Sequence, residues 1–293
     1  MAHTIVVQLA GGLGNQMFQY ALGRKLQLRH GATLRFDLDW FRRYNSRSLD
    51  LYGYRLELCP APRREVLRLR AYKGTLPDRV LRRLIGLELP GPSSYVRERQ
   101  FTFDPSILTR RDDLYLSGYW QSPLYFNDIA NTLRREFVPR ECPDELVTFS
   151  KRVAAISSVS VHVRRGDYVS DQRASQRHGI CDLDYYREAS QLIADRVANP
   201  EFFVFSDDPR WARTQLRLGF TATYASSERP RPSTVEMAAM RACRHHIIAN
   251  STFSWWAAWL CSYPGKVIVA PRRWFGDDGD STKDLIPSEW LRA

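Results

Sequence analysis

The chain has 293 residues, 44% of them hydrophobic and 26% charged, with 43 Lys/Arg against 32 Asp/Glu and a formal net charge of +11. These proportions suit a globular protein with a substantial core, and no run of eighteen apolar residues is present to span a membrane. Five widely spaced cysteines without a C-x-x-C pair exclude a zinc-ribbon pattern and suit reduced thiols in a cytosol better than a disulfide framework.

The positive excess is shared between the two halves and favours an anionic ligand, an anionic membrane surface or nucleic acid. No nucleic-acid module is legible and no Lys/Arg run alternates with aromatics, which argues against nucleic acid. Met1 to Thr4 is too short a lead for a signal peptide and moves directly into an apolar strand, Thr4–Leu9. The glycine turn Gly11-Gly12-Leu13-Gly14-Asn15 follows, then a helix from Gln16 to His30 and a strand at Ala32–Phe36. Gly12 and Gly14 let the backbone approach a partner closely, and the turn opens a helix N-terminus that favours negative charge. It is not the G-x-G-x-x-G fingerprint, and a tight strand–helix turn explains it as well as a ligand does. Asp37-Leu38-Asp39 has D-x-D form but no paired sites around it. From Pro60 to Pro92 the sequence is arginine-rich, with amphipathic helical stretches at Arg63–Ala71 and Asp78–Gly86 that read as a solvated face or a membrane-surface patch. Strand Leu114–Gly118 and helix Pro123–Phe137 complete this half, and Val138-Pro139 to Cys142-Pro143 reads as a break.

Ser157–Val163 is the most telling strand. Val159, Val161 and Val163 alternate with Ser160, His162 and Arg164, so His162 and Arg164 project from one side where the strand ends, beside Arg165 and Asp167. Open α/β sheets bind ligands at the carboxyl ends of strands, and two guanidinium forks there suit a pyrophosphate. An Arg–Asp ion pair closing the turn is the plainer reading. Next come a helix from Leu183 to Ala198 and a strand Phe202–Phe205 ending in Ser206-Asp207-Asp208-Pro209. Asp207 or Asp208 either caps the helix Pro209–Leu218 or accepts two N–H bonds from a guanine edge. Strand Ala222–Tyr224, helix Thr234–Cys243 and strand His246–Ala249 lead to Asn250-Ser251-Thr252-Phe253-Ser254, an amide and three hydroxyls able to cradle phosphate at the start of helix Phe253–Ser262. Trp255, Trp256 and Trp259 read as core, and strand Lys266–Ala270 closes the run. Alternating strands and helices imply parallel sheets covered on both faces, and two such units facing one another leave a cleft.

Four stretches in order, Gly11 to Ala21, His162 to Tyr168, Phe205 to Asp208 and Asn250 to Trp256, resemble bacterial α-1,2-fucosyltransferases of glycosyltransferase family 11. The resemblance covers about residues 4 to 275 and is thin over 60–112. It implies a GT-B-like α/β fold of two Rossmann-type domains with mainly parallel sheets facing across a cleft, acceptor-side at 1–150 and GDP-fucose-binding at 151–293. It implies inverting transfer of fucose from GDP-fucose to the 2-hydroxyl of a terminal galactose in an oligosaccharide or O-antigen unit, with no metal and no further cofactor. By the same match Arg164 contacts the β-phosphate with Arg165 beside it, His162 lies by guanine or ribose, and Asp207 or Asp208 reads guanine. Ser251, Thr252 and Ser254, in one stretch with Asn250, match phosphate contacts, and Gly12, Gly14 and Asn15 match a loop closing over the fucose-phosphate. Where some relatives carry a glutamate after the His-Arg-Arg motif, this chain has Asp171 and Gln172. Asp167 is expected to brace an arginine, while Asp39, Asp171, His178 and Glu236 stand as candidates for the base at the acceptor hydroxyl. The expected partner is a lactose-like or lipid-linked galactoside, met by a cytoplasmic enzyme at the anionic inner face of the membrane. The rival readings are another linkage or GDP-sugar on the same fold, and a non-catalytic nucleotide- or polyanion-binding protein.

Overall fold

A computed structural model describes residues 3–44, 47–70, 94–166, 179–226, 231–275 and 282–293. Ile5, Val6 and Val7 are fully buried, which makes β1 (Thr4–Gln8) core on both faces. It lies between β2 (Thr33–Asp37) and β4 (Leu114–Ser117), with β3 (Tyr95–Arg97) outside β4, all four parallel. Such strands need cover on both sides. Ile5 and Val7 face α1 (Leu13–His30), while Val6 and Tyr115 meet Val66 and Leu69 of α3 (Arg63–Arg70). The arginines of α3 behave as a solvated, ion-paired face: Arg68 reaches Asp113 at 2.7 Å, and Glu65 of the same helix holds Arg35 at 3.2 Å. The second arginine-rich stretch, Asp78–Gly86, lies outside the described residues.

The other sheet runs β10-β9-β8-β5-β6-β7, again parallel throughout. Its strands are β5 (Ser158–Val163), β6 (Glu201–Ser206), β7 (Ala222–Tyr224), β8 (His245–Ile247), β9 (Ile268–Ala270) and β10 (Leu291–Arg292). The chain steps outward from β5 to β7, then returns to the opposite side of β5 with β8. That order is doubly wound, and its switch point falls between β5 and β8. The connecting helices are α4 (Ala130–Glu136), α5 (Asp144–Ala154), α6 (Leu183–Ala194), α7 (Pro209–Gln215), α8 (Ser233–Ala242) and α9 (Thr252–Leu260).

The two sheets share a core. Phe18 of α1 lies 4.7 Å and 4.9 Å from the rings of Trp255 and Trp256 on α9, and Phe126 stacks on Trp256 at 5.2 Å. All three tryptophans of that helix are buried, as expected of core residues.

Both faces of β5 are covered, as expected of a central parallel strand, with Ser160 and His162 buried like the valines. Several local expectations are corrected. The predicted helix Pro123–Phe137 breaks into 3-10 turns at Pro123–Tyr125 and Asn127–Ile129 before α4, with Phe126 pulled out of helical geometry to fill space beside Phe18, Trp256 and Trp259. The helix expected to reach Ala198 ends at Ala194, whereas the expected break from Val138-Pro139 to Cys142-Pro143 is present, separating α4 from α5, whose first turn carries Asp144 and Glu145. The short helix α2 (Asp39–Arg43) and the strands β3 and β10 are additional. The five cysteines are free, and no helix among the described residues is long and apolar enough to cross a membrane.

Candidate active site

β5, β6 and β8 are adjacent and parallel, so the motifs that follow them emerge together at one end of the sheet. After β5, the Arg164 guanidinium pairs with Asp207 Oδ2 at 2.8 Å, and Asp207 Oδ1 accepts the Arg165 backbone N–H at 2.9 Å. An Arg–Asp ion pair is thus present across the two strands, while Asp167, the brace expected within the turn, lies outside the described residues. Arg165 takes a different direction and lies over the Trp211 ring, 3.7 Å from its centre, with Nε 3.8 Å from Asp208. Asp208 caps α7 by accepting the Trp211 N–H at 3.1 Å, so the capping role is real whatever else it does.

After β8, Ser251 is the N-cap of α9, its hydroxyl accepting the Phe253 N–H at 3.3 Å. Thr252 opens the helix. Two neighbours in the same motif are committed inward. The Asn250 amide donates to the carbonyls of Gly179 and Trp274, and the buried Ser254 hydroxyl donates to those of Ala249 and Ser251. These bonds brace the strand-to-helix turn rather than line a space in front of it.

From the other sheet, β1 delivers the glycine turn and α1 against this end of α9. Trp256 Nε1 donates to the Gly14 carbonyl at 2.9 Å, and the Thr252 hydroxyl donates to Asn15 Oδ1 at 3.1 Å. Two helix N-termini therefore meet beside Arg164's strand, which concentrates positive potential where an anion would sit. Gln121 also donates to Asn15 Oδ1, at 3.0 Å; sequence reasoning missed it, since nothing local marks a glutamine after β4 as part of a distant turn.

His162, next to last in β5, is buried, its ring 5.7 Å from Phe253 and its Nδ1 without a hydrogen-bond partner among the described residues. Burial pushes its pKa down to about 4; Asp207 pulls it back up and Arg164 pushes it further down. The imidazole is neutral at pH 7. The unfolded chain takes the proton first, near the ordinary value of 6.5, so this group's stabilisation is complete above pH 6.5 and is lost as pH falls toward 4. Thermal melts of wild type and His162→Gln across that window are expected to converge by on the order of 2–3 kcal/mol toward low pH. A constant difference would show that His162 does not titrate with folding. His246, also buried and depressed, adds a slope of the same sign to both proteins.

Of the base candidates, Asp39 opens α2 and pairs with Arg42 at 3.2 Å, while Glu236 on α8 accepts from the Ser226 hydroxyl and burial raises its carboxyl above the ordinary range. Asp167, Asp171 and His178 lie outside the described residues. Asp37 of the D-x-D sequence is buried, its carboxylate accepting from the Tyr115 hydroxyl at 2.6 Å and from the Asp39 N–H at 3.0 Å. A crevice of about 320 Å³ lined by Asn127, Arg134, Trp259, Lys266 and Trp290 sits at the far end of α9. Its lysine is spent there: Lys266 Nζ donates to the carbonyls of Ala258, Trp259 and Cys261.

The model of the family described as "Glycosyl transferase family 11" matches residues 92–292. An alpha-1,2-colitosyltransferase of Escherichia coli is 32% identical over 98% of this chain and 98% of its own length. The O-antigen biosynthesis glycosyltransferase WbnK of Escherichia coli is 30% identical over 97% of this chain and 98% of its own. Among solved structures, Arabidopsis thaliana FUT1 in complex with GDP aligns with a TM-score of 0.50 at 14% identity, covering 99% of this chain and 76% of that one, a likeness of fold.

Proposed function

Because the chain belongs to glycosyl transferase family 11, we propose that it transfers fucose from GDP-fucose to the 2-hydroxyl of a terminal β-galactoside in an oligosaccharide or O-antigen unit. The transfer inverts the anomeric carbon and uses no metal ion. In this reading residues 1–150 present the acceptor and 151–293 hold the nucleotide. One observation carries it. Arg164 stands at the carboxyl end of the central strand β5, next to the switch point where the N-termini of α9 and α1 meet. A departing diphosphate gathers negative charge as the glycosidic bond breaks, and preorganised guanidinium and helix ends stabilise it there without reorganisation. Ser251 and Thr252 sit on the phosphate side, Gly12, Gly14 and Asn15 on the sugar side, and His162 beside the nucleoside. Asp208, more exposed than Asp207 and not tied to Arg164, reads guanine while it caps α7. The bonds already made by Asp37 support a reaction that does not rely on D-x-D chemistry. A basic surface suits an acceptor offered at the anionic cytoplasmic face of a membrane.

A second reading has the relative's name in its favour: the donor is GDP-colitose, whose sugar is fucose without the 3-hydroxyl. Incubation with lactose and either donor in EDTA, with the product linkage read by NMR, separates the two. The expected product is fucose linked to the 2-position of galactose. Transfer from GDP-colitose alone would replace the donor, and failure in EDTA restored by magnesium would end the metal-free mechanism. GDP binding with neither transfer nor release from any GDP-sugar would leave a non-catalytic binding protein.

A further inference from the structure

Gln121 follows a turn that the backbone adopts at a cost. Trp120 has φ +58°, a left-handed conformation that a bulky side chain rarely takes. It is held there from below. The Glu98 carboxylate accepts the backbone N–H groups of both Tyr119, at 2.6 Å, and Trp120, at 3.0 Å. Gly118 is needed for that approach, since a Cβ at this position would collide with the Glu98 side chain. The Ser122 N–H then closes the turn on the Trp120 carbonyl at 2.8 Å.

The result is to set Gln121 against the glycine turn. Its Nε2 donates to Asn15 Oδ1, the same oxygen that accepts the Thr252 hydroxyl. The other end of its amide is what needs explaining. Gln121 is only 7% exposed, yet Oε1 has no hydrogen-bond partner among the described residues, and neither has the adjacent Trp120 Nε1. A buried polar atom left without a partner is unfavourable, and a strained turn that sets one beside the glycine turn calls for a role other than stability.

Resting on the donor reading above, we infer that Gln121 Oε1 is a specificity determinant for the transferred sugar, accepting a hydrogen bond from one of its ring hydroxyls. Asn15, itself held by Thr252, fixes the amide at one end, so the free oxygen discriminates a hydroxyl from its absence. A site built to bond a hydroxyl rejects the deoxy analogue far more strongly than an apolar pocket rejects an added one.

The test compares wild type with Gln121→Met, an apolar near-isostere, by calorimetric titration with GDP, GDP-fucose and the 3-deoxy and 4-deoxy forms of GDP-fucose. Wild type is expected to bind one deoxy donor about tenfold more weakly than GDP-fucose, and Gln121→Met to lose that discrimination while its Kd for GDP stays within twofold. Its melting temperature is expected to stay close to wild type, since the orphaned oxygen leaves with the amide. Gln121→Leu serves as a second variant if the methionine protein does not fold. The inference is overturned if discrimination survives in the variant, if wild type shows none, or if GDP and GDP-fucose weaken by the same factor. Binding of neither GDP nor GDP-fucose by wild type would overturn the donor reading itself, and this inference with it.

Discussion

Arg164→Ala is expected to slow sugar transfer by about 10²–10³-fold, the range found when one preorganised donor to a developing negative charge is removed. The guanidinium is already fixed before any ligand arrives: Asp207 holds it at 2.8 Å, and Asp207 is in turn fixed by the Arg165 N–H. A group oriented in advance stabilises the departing diphosphate without the reorganisation that a free side chain would require. The residue sits at a strand end, not in the core, so the variant is expected to keep its circular dichroism spectrum and most of its melting temperature. Arg164→Lys is expected to recover little, because a point charge cannot bond Asp207 and a phosphate oxygen at once in the planar fork geometry. Single-turnover rates with saturating GDP-fucose measure this directly. A variant retaining a tenth of the wild-type rate would remove Arg164 from the leaving-group role and return it to the plain ion pair. The pair alone, between partly exposed groups, is worth about 1 kcal/mol or less to the fold.

What the sequence discloses and what it hides follow from one distinction. Features set by neighbours along the chain are legible. The alternation through Val159, Val161 and Val163 locates a strand, and Pro209 after Asp208 locates a capped helix. Features set by neighbours across space are not. Phe126 breaks a helix that its own sequence favours because the space beside Trp256 needs an aromatic ring. Ser254 and Asn250 look like ligand residues by composition, but the Ser254 hydroxyl and the Asn250 amide N–H groups are bonded to backbone carbonyls of the fold itself. β3 and β10 are short edge strands that add onto longer ones, with too few residues to show a period. Gln121 belongs to the candidate site only because Glu98, twenty-odd residues earlier, bends the chain toward Asn15.

The glycine turn shows the same distinction at the level of single methyl groups, and it yields the second large effect. Gly14→Ala is expected to destabilise the protein by about 3 kcal/mol, a fall in Tm of more than about 5 °C, in the absence of any ligand. A Cβ on Gly14 would stand 2.5 Å from the Thr252 carbonyl carbon and 2.7 Å from the Phe253 nitrogen. Both are backbone atoms of α9, and α9 cannot retreat, since Trp255 and Trp256 are packed against Phe18 and Trp256 is bonded to the Gly14 carbonyl. The sign is diagnostic, because the same substitution inside an exposed helix gains about 1 kcal/mol. Gly12 is the opposite case. Its φ of −76° suits any residue, and a Cβ there meets nothing within 4 Å. Gly12→Ala is therefore expected to lower the melting temperature by no more than about 3 °C, the cost of alanine at an N-cap, while the methyl group occupies the open space in front of the turn and raises KM for the donor about tenfold or more. Scanning calorimetry without ligand and initial rates over a range of GDP-fucose concentrations read the two effects separately. Equal thermal losses in both variants would make the turn a packing device throughout. A stable Gly12→Ala protein with unchanged KM would move the donor sugar away from the start of α1.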